Sequence, residues 1–309
     1  MDRIHDMIII GAGPGGCTAA IYASRMGLQV LMLERATPGG QLTYTGEVEN
    51  YPGLGEGISG IELAERFHRD ALRFGTEFRL CSVLALKPEG ELWRVVTDEG
   101  DLLCRTVVIS TGADPKSLGL PSERELVGRG VHYCAHCDGR FYRGRTVAVV
   151  GGGNTALSDA IHLSSLASKV YLIHRRNKLR ADKWLVNALA GKENVEVIYN
   201  SRPIAIEGGK GVTGLRLAST DGDERVIDCD GIFIAIGRSP ATKFLEGRVE
   251  LVDGYVKAGD DTITSAPGVF AVGDVRTKEL RQIITAASDG AVAAEMAARY
   301  LAEKYNSEM

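Results

Sequence analysis

Several features are absent from this sequence, and each absence excludes a class of protein. The 309-residue chain has no long apolar stretch, because runs such as 7–10 are far too short to cross a bilayer, and no membrane partner is expected. Its amino terminus lacks the charged and apolar regions of a secretion signal, so a cytoplasmic location is expected. The formal net charge is only −4, which argues against a broad nucleic-acid-binding surface.

Cysteine is also scarce, and its placement argues against a metal site. Among six cysteines, a single Cys-x-x-Cys pair is formed by Cys134 and Cys137. Zinc takes four ligands, and the nearby His132 and His136 can hardly join both cysteines around one ion tetrahedrally. We therefore expect no metal. The isolated cysteines are expected to be buried reduced thiols: Cys17, Cys81, Cys104 and Cys229.

What the sequence does contain is an internal repeat. Residues 8–16 and 147–156 both read as an apolar strand followed by a glycine turn, and Gly151 stands 140 positions after Gly11. The match continues without a gap, so each copy is predicted to be strand, turn, helix and strand. Such a unit implies parallel strands joined by a right-handed crossover. The fold class is therefore predicted as α/β with two Rossmann-like dinucleotide-binding domains.

Hydrophobic patterns outside the repeat predict further elements. Apolar residues recur at helical spacing from Ile61 to Phe74, and the alanine-rich segment 283–304 has strong helix propensity. Strands are predicted at 92–97, 103–110, 212–217 and 231–236.

Two turn-like breaks, at 112–115 and 237–240, bracket the second copy of the repeat. The simplest division is one discontinuous domain, 1–114 with 243–309, that binds the first nucleotide. A second nucleotide-binding domain, 115–242, is then inserted into it.

The first glycine turn has the pattern Gly11-x-Gly13-x-x-Gly16. Its glycines allow close backbone approach to a pyrophosphate at the amino terminus of the following helix. Glu34 ends the next strand, where a carboxylate can accept hydrogen bonds from a ribose. The first unit is therefore predicted to bind an adenine dinucleotide.

A distant segment favours FAD as that dinucleotide. An apolar strand ends at Gly273-Asp274, where the aspartate can hold a ribityl chain. A helix beginning near Gln282 can direct its positive end at the pyrimidine side of the flavin ring. The turn 39–42 and Asn50 can frame the ring.

The second glycine turn, Gly151-x-Gly153-x-x-Ala156, leads to a strand whose end differs from that of the first unit. His174 stands where the first unit has Glu34, and a basic cluster surrounds it. Guanidinium groups pair with a 2′-phosphate, whereas a carboxylate repels it, so the second unit is predicted to prefer NADPH over NADH. The arginines concerned are Arg175, Arg176 and Arg180.

The cysteine pair supplies a third chemical element. One thiolate of a Cys-x-x-Cys pair can attack a partner disulfide while the other resolves the mixed disulfide, and Asp138 comes directly after the pair as a candidate proton shuttle. A non-enzymatic alternative is a redox-sensing or metal-binding dithiol module. A yellow purified protein discriminates against that alternative.

Together, these motifs resemble the low-molecular-weight, bacterial-type thioredoxin reductases of the class II pyridine nucleotide-disulfide oxidoreductases. The resemblance covers essentially the full chain and includes the stretches 11–16, 39–42, 47–53, 134–139, 151–156, 174–176 with Arg180, and 273–275 with 281–282.

The resemblance implies a homodimer with tightly bound FAD, and hydride flow from NADPH to the flavin. It implies that Cys137 faces the flavin, that Cys134 attacks thioredoxin and that Asp138 is the acid/base. It also implies rotation of the NADPH domain about the two breaks. Open alternatives are a glutaredoxin-like or peroxidase-linked protein partner, or a ferredoxin-type electron donor.

The expected cofactor contacts are numerous. Those to FAD are Gly11, Gly13, Pro14, Gly16, Glu34, Arg35, Gly39, Gly40, Gln41, Leu42, Asn50, Thr111, Gly112, Gly273, Asp274, Arg281, Gln282 and Ile283. Those to NADPH are Gly151, Gly153, Asn154, Thr155, Ala156, His174, Arg175, Arg176, Arg180, Ile236 and Gly237.

Two positions depart from the common family pattern. His136 lies between the cysteines, where a small residue is frequent, and its protonated imidazole can lower a thiol pKa and shift the redox potential slightly. Ser158-Asp159 replaces two acidic residues on the nicotinamide side.

Overall fold

The computed structural model describes residues 3–45, 47–54, 57–245 and 247–305. Met1 and Asp2, which belong to the terminus predicted to lack a secretion signal, lie outside the described residues. The contacts divide the chain into a first unit, Met1–Asp114 with Ser239–Met309, and a second unit, Pro115–Arg238.

The second boundary differs by a few residues from the expected one between 242 and 243. The reason is that residues directly after Arg238 pack with the first unit. Ala241 N donates to the carbonyl of Gly112, and the fully buried Leu245 belongs to a first-unit core cluster.

Strands outnumber helices along the described chain. The strands are β1 (Ile4–Ile10), β2 (Val30–Glu34), β3 (Glu47–Val48), β4 (Ile58–Ser59), β5 (Glu77–Leu80), β6 (Val83–Glu89), β7 (Leu92–Thr97), β8 (Gly100–Ile109), β9 (Ala113–Pro115), β10 (Val131–His132), β11 (Thr146–Gly151), β12 (Lys169–Ile173), β13 (Val195–Ile198), β14 (Ser201–Gly208), β15 (Val212–Ser219), β16 (Glu224–Asp228), β17 (Gly231–Ala235), β18 (Arg238–Pro240), β19 (Leu251–Val252), β20 (Tyr255–Val256) and β21 (Val269–Ala271). The helices are α1 (Pro14–Arg25), α2 (Gly60–Arg73), α3 (Ala135–Asp138), α4 (Asn154–Ser164), α5 (Lys183–Ala190) and α6 (Ile283–Tyr305).

The first unit is built on a mixed sheet with a parallel centre. Its order is β5-β2-β1-β8, and β21 continues the parallel part on the other side of β8. β6 and β7 extend the sheet in antiparallel fashion from the other half of β8. That pairing makes β8 longer than predicted, since Gly100 closes a hairpin with Thr97.

Both faces of β1 are buried, which explains its unbroken apolar run. Ile8 and Ile10 face one core cluster, whereas Met7 and Ile9 face the cluster formed with α1 and α6. The two helices meet through alanines, whose small side chains allow close approach: Ala19, Ala20 and Ala23 with Ala293, Ala294 and Ala297.

The second unit repeats this plan. A parallel sheet of order β10-β17-β11-β12-β13 is covered on one side by α4 and α5. The antiparallel strands β14-β15-β16 cover the other side. All four isolated cysteines are buried free thiols, as predicted. Within the described residues, every helix is too short or too polar to span a membrane.

Candidate active site

The first glycine turn, between β1 and α1, is shaped by close backbone contacts. Gly11 has φ +106°, and a Cβ there would collide with the carbonyl of Ser110. A Cβ on Gly16 would collide with the carbonyl of Gly11. Gly13 instead borders open space, with nothing within 4 Å of an added Cβ. The turn therefore leaves room in front of α1, where Pro14 occupies the first helical position.

Glu34, at the end of β2, is held firmly by backbone groups. Its Oε2 accepts from Ala12 N at 2.9 Å, and its Oε1 accepts from Arg35 N at 2.9 Å and Ala36 N at 3.2 Å. The carboxylate is thereby fixed beside the glycine turn, with one lone pair of Oε2 left for a hydroxyl donor. The Arg35 side chain forms an exposed ion pair with Asp114 at 3.5 Å.

The structure brings together the remaining residues predicted to frame the flavin. Gln41 Nε2 donates to Asp274 Oδ2 at 3.3 Å, and Asn50 Nδ2 donates to Gln282 Oε1 at 3.0 Å. Gly39 N donates to Ala12 O at 2.8 Å, which places the turn at 39–42 beside the first glycine turn.

The other predicted FAD residues extend this region. Leu42 is buried, and α6 begins at Ile283 as expected. Thr111 Oγ1 donates to the carbonyl of Ala241 at 2.8 Å. The guanidinium of Arg281 lies over the Tyr255 ring, 4.5 Å from its centroid.

The second glycine turn opens α4 in the same manner, and the basic loop is bonded back to it. Arg180 N donates to Gly152 O at 2.7 Å. Asn154 Nδ2 donates to Asp182 Oδ2 at 2.8 Å, and Asp182 N donates to Asn154 Oδ1 at 2.9 Å. Gly153 borders open space, as Gly13 does. The loop that carries the arginines is thus fixed beside the turn.

His174 adds no charge to the basic cluster around it. Its ring is buried, and burial lowers its pKa, so it is neutral near pH 7. Its Nε2 lies 3.0 Å from the carbonyl oxygen of Lys178, to which it donates. His174 therefore shapes the loop, and the positive charge comes from exposed side chains: Arg175, Arg176 and Arg180.

The last predicted NADPH residues lie at the end of β17. Ile236 is exposed, and Gly237 adopts φ +107° with its carbonyl accepting from Lys116 N at 3.0 Å.

The cysteine pair lies at the start of α3 in the second unit. Cys134 and Cys137 form a disulfide. Asp138 Oδ2 lies 3.0 Å from His132 Nδ1, and both side chains are nearly buried. The His136 ring contacts the His162 ring, with 4.3 Å between centroids and 34° between planes. A disulfide with a held carboxylate beside it is an arrangement for dithiol–disulfide exchange.

Comparison with known proteins now places the chain. Residues 5–290 match the family model described as pyridine nucleotide-disulphide oxidoreductase. The chain belongs to this family. The thioredoxin reductase of Listeria monocytogenes serovar 1/2a is 44% identical over 305 residues, covering 98% of this chain and 95% of that protein. The thioredoxin reductase of Escherichia coli O157:H7 is 45% identical over 306 residues, covering 96% and 95%.

A solved structure agrees. The crystal structure of thioredoxin reductase from Streptococcus pyogenes MGAS5005 superposes with a TM-score of 0.92 at 38% identity, covering 98% of this chain and 100% of that one. As a member of the pyridine nucleotide-disulphide oxidoreductases, the protein is an oxidoreductase with two Rossmann-like domains that binds FAD and NADPH.

The residues present fit both cofactors. Each glycine turn leaves open space before a helix amino terminus, where a pyrophosphate is favoured. The first turn has a fixed carboxylate for ribose hydroxyls, whereas the second has exposed guanidinium groups for a 2′-phosphate. Among the described residues, no group of three or more His, Cys, Asp or Glu side chains could hold a metal ion.

Sequence reasoning missed several supporting residues of this oxidoreductase. Asp289 on α6 accepts from Gly273 N at 2.8 Å, and it pairs with two nearly buried cations, Arg276 at 2.8 Å and Lys278 at 2.7 Å. Asp182 was missed as the partner of Asn154. No local spacing pattern reveals these contacts, because the partners lie on different elements.

Proposed function

We propose that this protein uses NADPH and FAD to reduce the disulfide of thioredoxin through the Cys134–Cys137 pair. The observation that carries the proposal is this disulfide, which lies beside Asp138 in the same unit as an NADPH-type glycine turn. The similarity to thioredoxin reductases supports thioredoxin as the partner.

The chain's own residues supply binding, nucleophile and proton. Bound FAD would accept a hydride from NADPH and pass two electrons to the disulfide. Cys134, as thiolate, attacks the disulfide of thioredoxin, and Cys137 then attacks Cys134 in the mixed disulfide, which releases the thioredoxin dithiol and restores the original bond. Asp138 gives a proton to a departing thiolate and takes it back in the reverse step.

NADPH is the proposed donor because the exposed arginines after β12 form a charged surface on a fixed loop. Guanidinium groups recognise phosphate bidentately, and the first unit has a carboxylate at the corresponding position. Nothing in the described residues favours a glutaredoxin-like partner, a ferredoxin-type donor or a non-enzymatic dithiol module over this assignment.

The proposal is tested by a direct assay. Purified protein is mixed anaerobically with NADPH, and separately with NADH, while the visible flavin band is followed. Oxidised thioredoxin is then added and NADPH consumption is measured. Rapid bleaching by NADPH, followed by stoichiometric appearance of thioredoxin thiols, is expected. A flavin band that neither nicotinamide bleaches would contradict the proposed donor.

A homodimer in the cytoplasm is part of the same proposal. Large apolar side chains are exposed along two neighbouring helices of the first unit: Tyr22 on α1 with Met26 directly after it, and Ile61 and Leu72 on α2. Such a surface favours association with a second copy. Buried reduced thiols are typical of a reducing compartment. Light scattering of the purified protein is expected to give twice the mass of 33.1 kDa.

A further inference from the structure

Asp138 is the first member of a hydrogen-bonded chain of side chains within the second unit. Asp138 Oδ2 lies 3.0 Å from His132 Nδ1, and His132 Nε2 lies 2.7 Å from the Tyr142 hydroxyl. The imidazole stacks on Phe233, with 5.2 Å between centroids and 24° between planes. Three titratable side chains on β10, α3 and the segment after it are thereby connected in series.

One arrangement of donors and acceptors satisfies every member of this chain. A carboxylate only accepts, so His132 Nδ1 donates to Asp138, and the unprotonated Nε2 accepts from the Tyr142 hydroxyl. Burial raises the pKa of Tyr142 to about 12, so the phenol keeps its proton at neutral pH.

Tyr142 also lines a cleft in the second unit. The cleft has a volume of about 240 Å³ and is lined by Tyr142 together with Arg129, Arg145 and Asp230, and none of the residues lining it belongs to the Cys134–Asp138 turn. Gly231 provides the space for the phenol, because a Cβ there would collide with the Tyr142 ring.

The charges around the phenol come from several elements. Asp138, Asp230 and Cys229 raise the pKa of Tyr142, after burial, whereas Arg145 lowers it. Asp138 and His132 themselves have side chains only 13% and 8% exposed. Direct access of solvent to Asp138 is therefore limited, and Tyr142, itself only 6% exposed, is the member of the chain that lines the cleft.

We propose that His132 and Tyr142 form a proton relay that supplies Asp138 from this cleft during reduction of the disulfide. The inference rests on the proposed function, in which Asp138 is the acid/base. His132 and Tyr142 act through Asp138 and are positioning residues.

The relay meets a requirement of the overall stoichiometry. NADPH, one proton and a disulfide give NADP⁺ and two thiols, so each turnover takes one proton from solvent. His132 Nδ1 passes its proton to Asp138, which delivers it to a thiolate, while Tyr142 passes its own proton to Nε2. The tyrosinate takes a proton from water in the cleft, and rotation of the hydroxyl and return of the imidazole tautomer restore the starting arrangement.

The test is Tyr142→Phe, which removes the hydroxyl and keeps the ring. Proton uptake during anaerobic reduction by excess NADPH, without thioredoxin, is followed with a pH indicator, and kcat with thioredoxin is measured in H₂O and D₂O. General acid catalysis contributes about 10²–10⁴-fold, and because Asp138 remains, we expect both rates to fall about tenfold. The solvent isotope effect on kcat should increase. The rate of flavin reduction, the KM for thioredoxin and the dithiol–disulfide potential should not change.

Tyr133→Phe is the matched control, since its hydroxyl donates to Glu123 at 2.6 Å in the same unit and is not part of the relay. His132→Asn keeps an amide donor near Asp138 and breaks the link to Tyr142, so it should reproduce the Tyr142→Phe rates. The double variant should be no slower than either single variant, because one relay is interrupted in both.

An unchanged rate of proton uptake in Tyr142→Phe overturns the relay. An equal loss of rate in the control Tyr133→Phe overturns it as well, and so does a shifted dithiol–disulfide potential in Tyr142→Phe. Wild-type protein that is reduced by NADPH but leaves thioredoxin oxidised contradicts the proposed partner instead. The relay is then decided by proton uptake alone.

Discussion

The two glycine-turn units have the same strand register, and they differ in the side chains at the end of the second strand of each unit. Met7 pairs with Val30 in the first unit, and Val147 pairs with Val170 in the second, so the register is preserved at the offset of 140 seen in the sequence. The helices begin at corresponding positions, Pro14 and Asn154. The shared features are those that determine strand pairing and the turn.

The differences lie where a nucleotide would be distinguished. Glu34 accepts backbone hydrogen bonds beside its turn, whereas His174 is buried and leaves the charge to neighbouring arginines. Inside the helices, Ala19 corresponds to Asp159, and both are buried. The apolar pattern thus determines the unit, and we propose that a few side chains at its edges determine the ligand.

The largest expected effect concerns the disulfide, which only the second unit carries. Cys134→Ser should abolish thioredoxin reduction, because the attacking thiolate is lost, and should leave flavin reduction by NADPH intact. Stopped-flow absorbance and a thioredoxin assay measure the two steps. Cys229→Ala, at a buried free thiol of the same unit, should keep both activities. Loss of flavin reduction in Cys134→Ser would mean that the dithiol is not downstream of the flavin.

The difference at the strand ends is tested next. Arg175→Ala should raise the KM for NADPH about tenfold to a hundredfold, because a charge-assisted phosphate contact of about 1.5–3 kcal/mol is removed. The KM for NADH should change little. Arg202→Ala, at an exposed arginine outside the loop, is the control. Equal effects on both nucleotides would contradict recognition of the 2′-phosphate.

The difference inside the helices, Ala19 in α1 against Asp159 in α4, predicts that the free energy of unfolding depends on pH. Burial raises the pKa of Asp159 to about 7, although Arg238 opposes the shift. A raised folded-state pKa stabilises the fold below the unfolded value of about 3.9, and this stabilisation is lost as pH rises to about 7. Asp159→Asn should therefore increase the free energy of unfolding at pH 8, by at most about 4 kcal/mol, and much less at pH 4.

Urea denaturation of wild type, Asp159→Asn and the neighbouring control Ser158→Ala at both pH values measures this gain. A variant that is stabilised equally at pH 4 and pH 8 would show that ionisation of Asp159 is not the cause.

The smallest expected effect belongs to His136, which has no counterpart in the first unit. Its imidazole contacts the ring of His162, whose pKa is lowered by burial and by His136. A positive charge between the cysteines stabilises thiolate, so His136→Thr should make the dithiol–disulfide potential more negative by about 10–20 mV. Equilibration with a redox buffer measures it, and an unchanged potential would exclude this role.

Much of the fold was predictable because its signals are local. The repeat, the helix over 61–74 and the strands each follow from apolar periodicity, and the structure contains them with ends shifted by a few residues. The start of β8 at Gly100 was missed, because pairing with β7 in a hairpin extends the strand beyond its apolar part.

The site was predictable only in part. Glycine turns and the cysteine pair are local patterns, but Asn50 meets Gln282 across 232 positions, and such contacts depend on the complete fold. The burial of His174 was also not predictable, because its ring packs where Gly152 lacks a Cβ and its Nε2 donates to the carbonyl of Lys178.

The pairing of β9 with β18 has a consequence for engineering this protein. The chain enters the second unit through β9 and leaves it through β18. Because these two strands pair with each other, both connections to the second unit are made by neighbouring segments. Removing or exchanging a segment whose ends are already side by side requires little new loop closure in the host. The same two strands are therefore natural junctions for grafting a nucleotide-binding unit of different specificity, while the sheet of the first unit keeps its strand order.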